Sequence, residues 1–478
     1  MAEKSSKGSM LMNWLDERTG IRHAMDEALN EPIPGGSRWA YVFGSLLLFL
    51  MILQIVTGIV LTLYYAPTAD HAHASVAYIQ KVVPGGALLR GIHHYGSSAM
   101  IILAIAHLAQ TFLYGAYKRK RELVWGLGVV MLLIIFAFGF TGYLLAWDQA
   151  AYFGTKVGTA IAGEIPIIGS LQQKIMLGGT DLTTVTLSRF FTTHVFLLPL
   201  ALIALAGLHV LLFRKAGPAG PYHDRDNHRV DRFYPKQIFK DSVAMLALFV
   251  VLAYLALKWP AELGPVADPT SDYLARPPWY FMPLFQLLKY FPGKFAIIPT
   301  VVLPAIIFGV LFLLPFFDRK GERNPFKRPL ATALLILMLA GAGGLIYLSK
   351  YQDRHNPEFA EKLKQQDEEM HAFFKAPFQP QQIGAKTVAV SAKAASNDTV
   401  APNAYMESCA DCHGDKGEGA SAPELLGVAA KPNRAHDDLI KILDDARAYG
   451  LKKPMPANFP DLKDEDKKAI VEWMVKLK

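Results

Sequence analysis

The chain has 478 residues, 52% of them hydrophobic and 19% charged, with the apolar residues gathered in long blocks. That pattern excludes an ordinary soluble enzyme. The formal net charge of +8 would suit a nucleic-acid partner, but the basic residues sit in alternate loops between apolar blocks, a topological signal instead, and no nucleic-acid partner is expected.

Apolar runs long enough to cross a bilayer lie at about 39–66, 92–114, 123–146, 190–213, 241–258, 296–317 and 330–348, which makes seven expected spans. Lys118, Arg119, Lys120 and Arg121 follow the second; Arg214, Lys215, Arg225, Arg229, Arg232 and Lys236 follow the fourth; Arg319, Lys320, Arg323, Lys327 and Arg328 follow the sixth. The positive-inside rule puts these loops and the N-terminus in the cytoplasm. Everything after about residue 350 is then outside. Residues 1–38 carry charges of both signs and lack the apolar core and cleavage site of a signal peptide. They read as a cytoplasmic arm, in which WLDERTGIRHAMDEALN makes a short amphipathic helix along the lipid surface.

Span one carries Gly44 and Gly58, and span three Gly128 and Gly142, 14 residues apart in each case (58 − 44 and 142 − 128). Span two carries His93 and His107, 14 apart, and span four His194 and His209, 15 apart (107 − 93 and 209 − 194). At ~1.5 Å per residue each histidine pair is separated by about 21–23 Å. Fourteen or fifteen residues are close to four turns, so both histidines of a span lie near one face. Ionisable groups in a span are costly, and imidazole is a common axial ligand of haem iron. Two such helices side by side present two facing pairs, which suggests two b-type haems stacked across the bilayer. The glycines give flat haems room at two depths.

The loop after span one includes His71 and His73 and is expected to be solvated. Arg90 and Arg189 precede His93 and His194 at the outer ends of their spans. Each suits a haem propionate by charge and planar shape, with snorkelling to the interface as the alternative. About forty residues after span three read as short amphipathic helices on the outer surface. Between spans five and six, LARPPWYFMPLFQLLKY fixes a rigid bend followed by a short re-entrant or interfacial helix. Residues 351–400 are charged and then of low complexity, and are expected to be a flexible linker.

Residues 401–478 form a separate small domain. Its Cys409-Ala-Asp-Cys412-His413 is the attachment signature of a covalent c-type haem, with His413 as one axial ligand. The chain has only these two cysteines, so neither a disulfide framework nor a four-cysteine zinc site is available. Met455, between prolines in KKPMPANFP, is the expected sixth ligand; His436, Met406 and Met474 compete. Met474 shares core spacing with Ile470, Trp473 and Leu477 and is expected to pack.

These residues resemble the cytochrome b family of cytochrome bc complexes over about residues 12–350. The resemblance rests on the His-bearing helices, LSRFFTTH, the paired glycines, GFTGYLLAWDQ, the IPIIG segment and the Pro-x-Trp-Tyr run. The 15-residue spacing, RKAGPAGP and seven spans are similar to the chloroplast-type branch, with its four-helix and three-helix chains fused here. The tail is similar to class I cytochromes c. The resemblance implies an all-α fold. A four-helix di-haem bundle (39–215) and a three-helix part (216–350) follow the arm (1–38); the linker (351–400) and a soluble helical cytochrome c domain (401–478) come after.

By the same resemblance, His93 pairs with His194 near the outer face and His107 with His209 near the cytoplasm. Arg90 and Arg189 fall at haem-propionate positions. Gly142, Tyr143 and Tyr280 line an outer quinol-oxidation site, and Arg214 and Asp241 an inner quinone site. The family's proton-accepting glutamate is replaced by Pro278, so Asp268, Asp272 and Glu262 become the candidate acceptors. The branch's extra inner haem cannot be attached through a cysteine, which leaves open a non-covalent one. The expected function is a quinol:cytochrome c oxidoreductase subunit in a bacterial inner membrane, coupled to proton translocation. Its implied partners are a Rieske iron–sulfur protein, a soluble or membrane-bound electron acceptor and a second copy of the complex. A di-haem anchor for another quinone-linked dehydrogenase, or a proton-relaying transporter, are the competing readings.

Overall fold

The structure is a computed structural model that describes residues 7–222, 228–379, 401–414, 417, 424–425, 427–430, 436–445 and 462–477. The chain divides into two compact units, Met1–Gln379 and Pro380–Lys478. Both are built from helices. The exception in the described residues is a short antiparallel ribbon pairing Pro32–Pro34 with Val230–Arg232, Ile33 opposite Asp231.

Among the described residues of the first unit, seven helices are long and apolar enough to cross a membrane: Trp39–Thr62, Gly86–Leu113, Glu122–Leu144, Thr184–Ala216, Phe233–Lys258, Ile298–Phe317 and Pro329–His355. They are spans one to seven, in the expected order. Leu50, Met100, Ile101, Ala104, Leu132, Ile135 and Leu252 form one buried cluster, with Trp279 and Tyr280 packed against it. The four-helix and three-helix parts therefore share a core. Spans two and five approach closely at Gly91, where a Cβ would lie 2.6 Å from the Ala256 Cβ.

Span four is not a continuous α-helix. A π-turn at Thr193–Leu197 interrupts it. Pro199 follows at once; it has no N–H to give the carbonyl four residues back, at Val195, which opens the ladder at that turn.

The helices expected after span three are present at Gln149–Gly163 and Gly169–Leu177. Asp148 caps the first, accepting from Ala151 N at 2.9 Å, and its second oxygen accepts from Gly264 N at 3.1 Å. The short helix after the Pro-Pro-Trp-Tyr run spans Met282–Leu288.

Two expectations are corrected. Residues 351–379 are not a flexible linker: span seven continues to His355 and a further helix spans Pro357–Lys375. Asn356 caps it, and Phe373, Phe374 and Phe378 pack on Val76, Ala77 and Leu263. A charged composition hid an apolar stripe. The remainder of the expected linker, 380–400, lies outside the described residues. His73 is not solvated either. It is buried in the helix Ala72–Lys81, with Nε2 2.8 Å from the Gly264 carbonyl and its ring 5.1 Å from Phe373. Burial, the dominant cause, lowers its pKa.

In the second unit, the helices Asn403–Ser408, Ala410–His413, His436–Asp444 and Asp464–Lys476 surround a core of Tyr405, Leu439, Ile442, Ile470, Val471 and Trp473. Met474 and Leu477 belong to that core, as their spacing implies.

Candidate functional site

The four histidines of spans two and four meet the four glycines of spans one and three one to one. A Cβ built on Gly142 would lie 2.6 Å from His194 Cε1; on Gly58, 3.3 Å from His93 Cε1; on Gly128, 3.6 Å from His209 Cε1; on Gly44, 3.9 Å from His107 Cε1. Each imidazole thus sits against a glycine, in a notch that is tight at Gly142 and Gly58 and looser at Gly128 and Gly44. The His93 and His194 rings face each other with centroids 6.4 Å apart and planes at 70°. His107 and His209 lie within electrostatic range of each other at the second level.

The π-turn reconciles the unequal spacings. Gly128 and Gly142 are 14 residues apart, while His194 and His209 are 15 apart. A π-turn stores one extra residue without shifting the turns on either side. It spans Thr193–Leu197, taking in His194 and ending well before His209, so both stay in register with their glycines.

Two threonines complete the first level. Thr57 Oγ1 is 2.9 Å from His93 Nδ1, and Thr141 Oγ1 is 3.0 Å from His194 Nδ1. Sequence reasoning missed them, although each immediately precedes a notch glycine. These features fit b-type haem. Among the described residues no group of three or more His, Cys, Asp or Glu side chains can hold a metal ion. Paired imidazoles suit a metal that brings its own equatorial ligands, and the notches suit a flat one.

Arg90 and Arg189 are engaged by the chain itself. Arg90 donates to the carbonyls of Ala261 and Glu262, both at 2.7 Å, and to Gln80 at 2.9 Å. Arg189 donates to the carbonyls of Lys174 and Ile175. Arg90 ties the segment after span five, and Arg189 the last turn of the helix Gly169–Leu177, to the ends of their spans.

A cavity of about 360 Å³ lies beside the His93/His194 level, lined by Phe136, Ala137, Phe140 and Tyr143 of span three and by Pro277, Pro278 and Phe281. Phe138 of the same stretch packs its ring 5.4 Å from His194. The walls are mostly apolar; Tyr143, Gln172 and Thr300 bring the polar side-chain atoms. Tyr280 donates to the Gly139 carbonyl at 3.1 Å, and burial pushes its hydroxyl up to about 12, so it keeps its proton. Arg276 holds the Pro-Pro-Trp-Tyr run to span seven through both oxygens of Asp353, at 2.9 and 2.7 Å.

The structure does not bring the candidate carboxylates to this cavity. Asp268 caps a turn, bonded to Thr270 N and Oγ1 at 2.9 and 2.7 Å, which lowers its pKa. Asp272 is 99% exposed and paired with Lys362. Neither lines the walls, nor does Glu262. D268N and D272N are therefore expected to leave quinol oxidation nearly unchanged across pH. A loss on the order of 10²-fold, the usual contribution of a general base, would return either residue to the site.

At the second level, Asp241 is buried and accepts from Ser45 Oγ and Gln237 Nε2, each at 2.8 Å. Ser45 adjoins the notch glycine Gly44. Arg214 lies 3.8 Å from Glu31. In the second unit, Cys412 and His413 belong to the helix Ala410–His413, with Cys409 at its N-cap. Met455 lies outside the described residues.

The sequence matches the family model for cytochrome b/b6/petB over residues 29–217 and that for cytochrome b(C-terminal)/b6/petD over 265–363. Residues 402–478 match the cytochrome c model. A cytochrome bc complex cytochrome b subunit of Chlorobaculum thiosulfatiphilum is 37% identical over 345 residues, 70% of this chain and 80% of that one. A menaquinol:cytochrome c reductase cytochrome b subunit of Geobacillus thermodenitrificans is 40% identical over 220 residues, 44% of this chain and 98% of that one. Among solved structures, a chain of a hyperthermophilic respiratory Complex III superposes with TM-score 0.64 at 30% identity, covering 76% of this chain and 96% of that one. Haems of b and c type follow from these matches. The chain belongs to the cytochrome b family of cytochrome bc complexes, with both cytochrome b parts in one polypeptide and a cytochrome c domain after them.

Proposed function

We propose that this chain is the electron-transfer core of a quinol:cytochrome c oxidoreductase, with quinol oxidised at the outer face and quinone reduced near the cytoplasm. The observation that carries the reading is the adjacency of a mostly apolar, quinone-sized cavity to one of two matched histidine–glycine levels. Bound haems supply one-electron carriers at both levels. His93 and His194 hold the outer one, His107 and His209 the inner one, and Cys409, Cys412, His413 and Met455 the covalent c haem. Arg90 and Arg189 stand near the outer ends of their spans, where their positive charge would suit haem propionates.

The apolar cavity walls exclude water around the quinol. Tyr143 and Gln172 orient its oxygens, while Tyr280 stays protonated. Pro278 offers no acceptor, so the protons leave through groups outside the chain's cavity walls, beginning with a Rieske iron–sulfur partner. That partner would take one electron, and haems held by His93/His194 and His107/His209 would supply a path across the bilayer for the other. The released protons appear outside. Arg214 and Asp241 serve the inner quinone. The positive-inside pattern supports this orientation, with the c domain outside a bacterial inner membrane, and the complex is a homodimer.

Pyridine haemochrome analysis of the purified complex tests this. The expected result is two b haems and one c haem per chain, with a Rieske protein co-purifying. A b-to-c ratio far from 2:1, or a dehydrogenase in place of the Rieske protein, would sink the proposal.

A further inference from the structure

We infer that Thr57 and Thr141 are positioning residues that fix the tautomer and ring plane of His93 and His194, and thereby lower the potential of the haem held between them. The inference rests on the two-level reading above and deepens it at one level.

The hydroxyl protons decide the direction of these contacts. Thr57 Oγ1 donates to the Leu53 carbonyl at 2.7 Å, and Thr141 Oγ1 to the Ala137 carbonyl at 2.8 Å. A hydroxyl has one proton, and here it goes to the carbonyl four residues back, as is usual for threonine inside a helix. Toward the imidazole each Oγ1 can only accept. His93 Nδ1, at 2.9 Å, and His194 Nδ1, at 3.0 Å, are therefore the protonated nitrogens. Nε2 is left with its lone pair on both rings, ready to bind iron.

The arrangement is duplicated. Thr57-Gly58 lies on span one and Thr141-Gly142 on span three. In each dipeptide the glycine opens the notch and the threonine holds the ring that fills it. The second level lacks the device. Its notch glycines follow Phe43 and Leu127, which offer no hydroxyl. Among the described residues His107 Nδ1 and His209 Nδ1 make no well-formed hydrogen bond, although the Val124 carbonyl faces the His209 ring.

An Nδ1–H that donates to a fixed acceptor makes the imidazole a stronger base toward its metal. Stronger donation favours ferric over ferrous iron and so lowers the potential. Two threonine bonds act at one level and none at the other.

The test is a redox titration of the b-haem bands in the intact complex, with electron paramagnetic resonance of the oxidised form. The variants are T57V and T141V, which keep the shape and remove the hydroxyl, and T57S and T141S, which restore it. Each valine variant should raise the potential of one b haem only. The reduced-to-oxidised ratio at fixed potential should change about fivefold, the worth of one ordinary hydrogen bond, or roughly 40 mV at ~59 mV per tenfold. The g-anisotropy of that haem, which reads the angle between its axial ring planes, should move as well. Serine should return both readouts to the wild-type values.

Unchanged potentials in valine variants with full haem content would overturn the inference, as would equal shifts in both b haems. Haem loss in a valine variant that serine repairs supports it. Haem loss that serine does not repair overturns it, because shape rather than the hydroxyl is then what matters. Wild-type protein with fewer than two b haems would instead defeat the two-level reading itself, whatever the threonines do.

Discussion

Gly142→Ala should strip the haem from the His93/His194 level, whereas Gly44→Ala should leave its own level loaded. The four notches are not equally tight. A methyl group at 142 would sit 2.6 Å from His194 Cε1, closer than real Cβ contacts occur, and 3.1 Å from both ring nitrogens. His194 is held by Thr141 at 3.0 Å and lies in the π-turn Thr193–Leu197, so it cannot swing clear without losing its aim. At Gly44 the new methyl would meet His107 Cε1 at 3.9 Å, an ordinary contact. Gly58 and Gly128, at 3.3 and 3.6 Å, should fall between. The haem-to-protein ratio of the four alanine variants checks the order. Equal haem content in G142A and G44A would show that the notches do not decide occupancy.

Removing Lys118 should destabilise the membrane unit by about 1.5–3 kcal/mol, the worth of hydrogen bonds to a charged group, because Arg328, 3.5 Å from the Asp318 carboxylate, still faces that charge. Lys118 follows span two, and its side chain is 5% exposed. Its ammonium donates to Asp318 Oδ1 at 2.7 Å and to the carbonyls of Lys320 and Glu322 at 2.9 and 2.8 Å. Tyr117 donates to the other oxygen of Asp318, and Arg328 donates to the Tyr117 hydroxyl at 2.8 Å. The cluster binds the ends of spans two and six to the start of span seven. K118M should therefore melt well below the wild type.

The same cluster predicts a pH dependence. Burial alone would raise the Asp318 pKa, but the hydrogen bonds from Lys118 and Tyr117 outweigh it and hold the carboxyl below its usual range. A depressed carboxylate contributes stability that is present above its unfolded pKa and lost as the pH falls through the folded one. The contribution should thus persist at neutral pH and fade below about pH 4. Melting curves of wild type and D318N should converge in acid. A constant gap between them down to pH 3 would contradict the assignment.

The spans, the histidines and their glycines were legible in the sequence because each carries a periodic signal that survives without a partner. Thr57 and Thr141 were not, because a threonine in an apolar span has no distinctive pattern until the facing imidazole is known. Asp268, Asp272 and Glu262 failed as acceptors for the opposite reason: they are near the Pro-Pro-Trp-Tyr run along the chain but turn away from the cavity in space. The bonds of Arg90 and Arg189 to backbone carbonyls were not legible, because they depend on chain segments up to 172 residues away. The helix Pro357–Lys375 was hidden by charges that cover its outer side.

The π-turn of span four has a consequence for comparing sequences. Adding one residue to a regular helix rotates everything beyond it by about 100°, which in a four-helix bundle would turn a ligand toward lipid. Here a single loosened turn absorbs the insertion, and the face beyond it is undisturbed. Fourteen- and fifteen-residue separations are thus interchangeable ways of building one architecture. A gap of one residue in an alignment of this span marks a local wrinkle in the backbone and no change in what the helix presents to its neighbours.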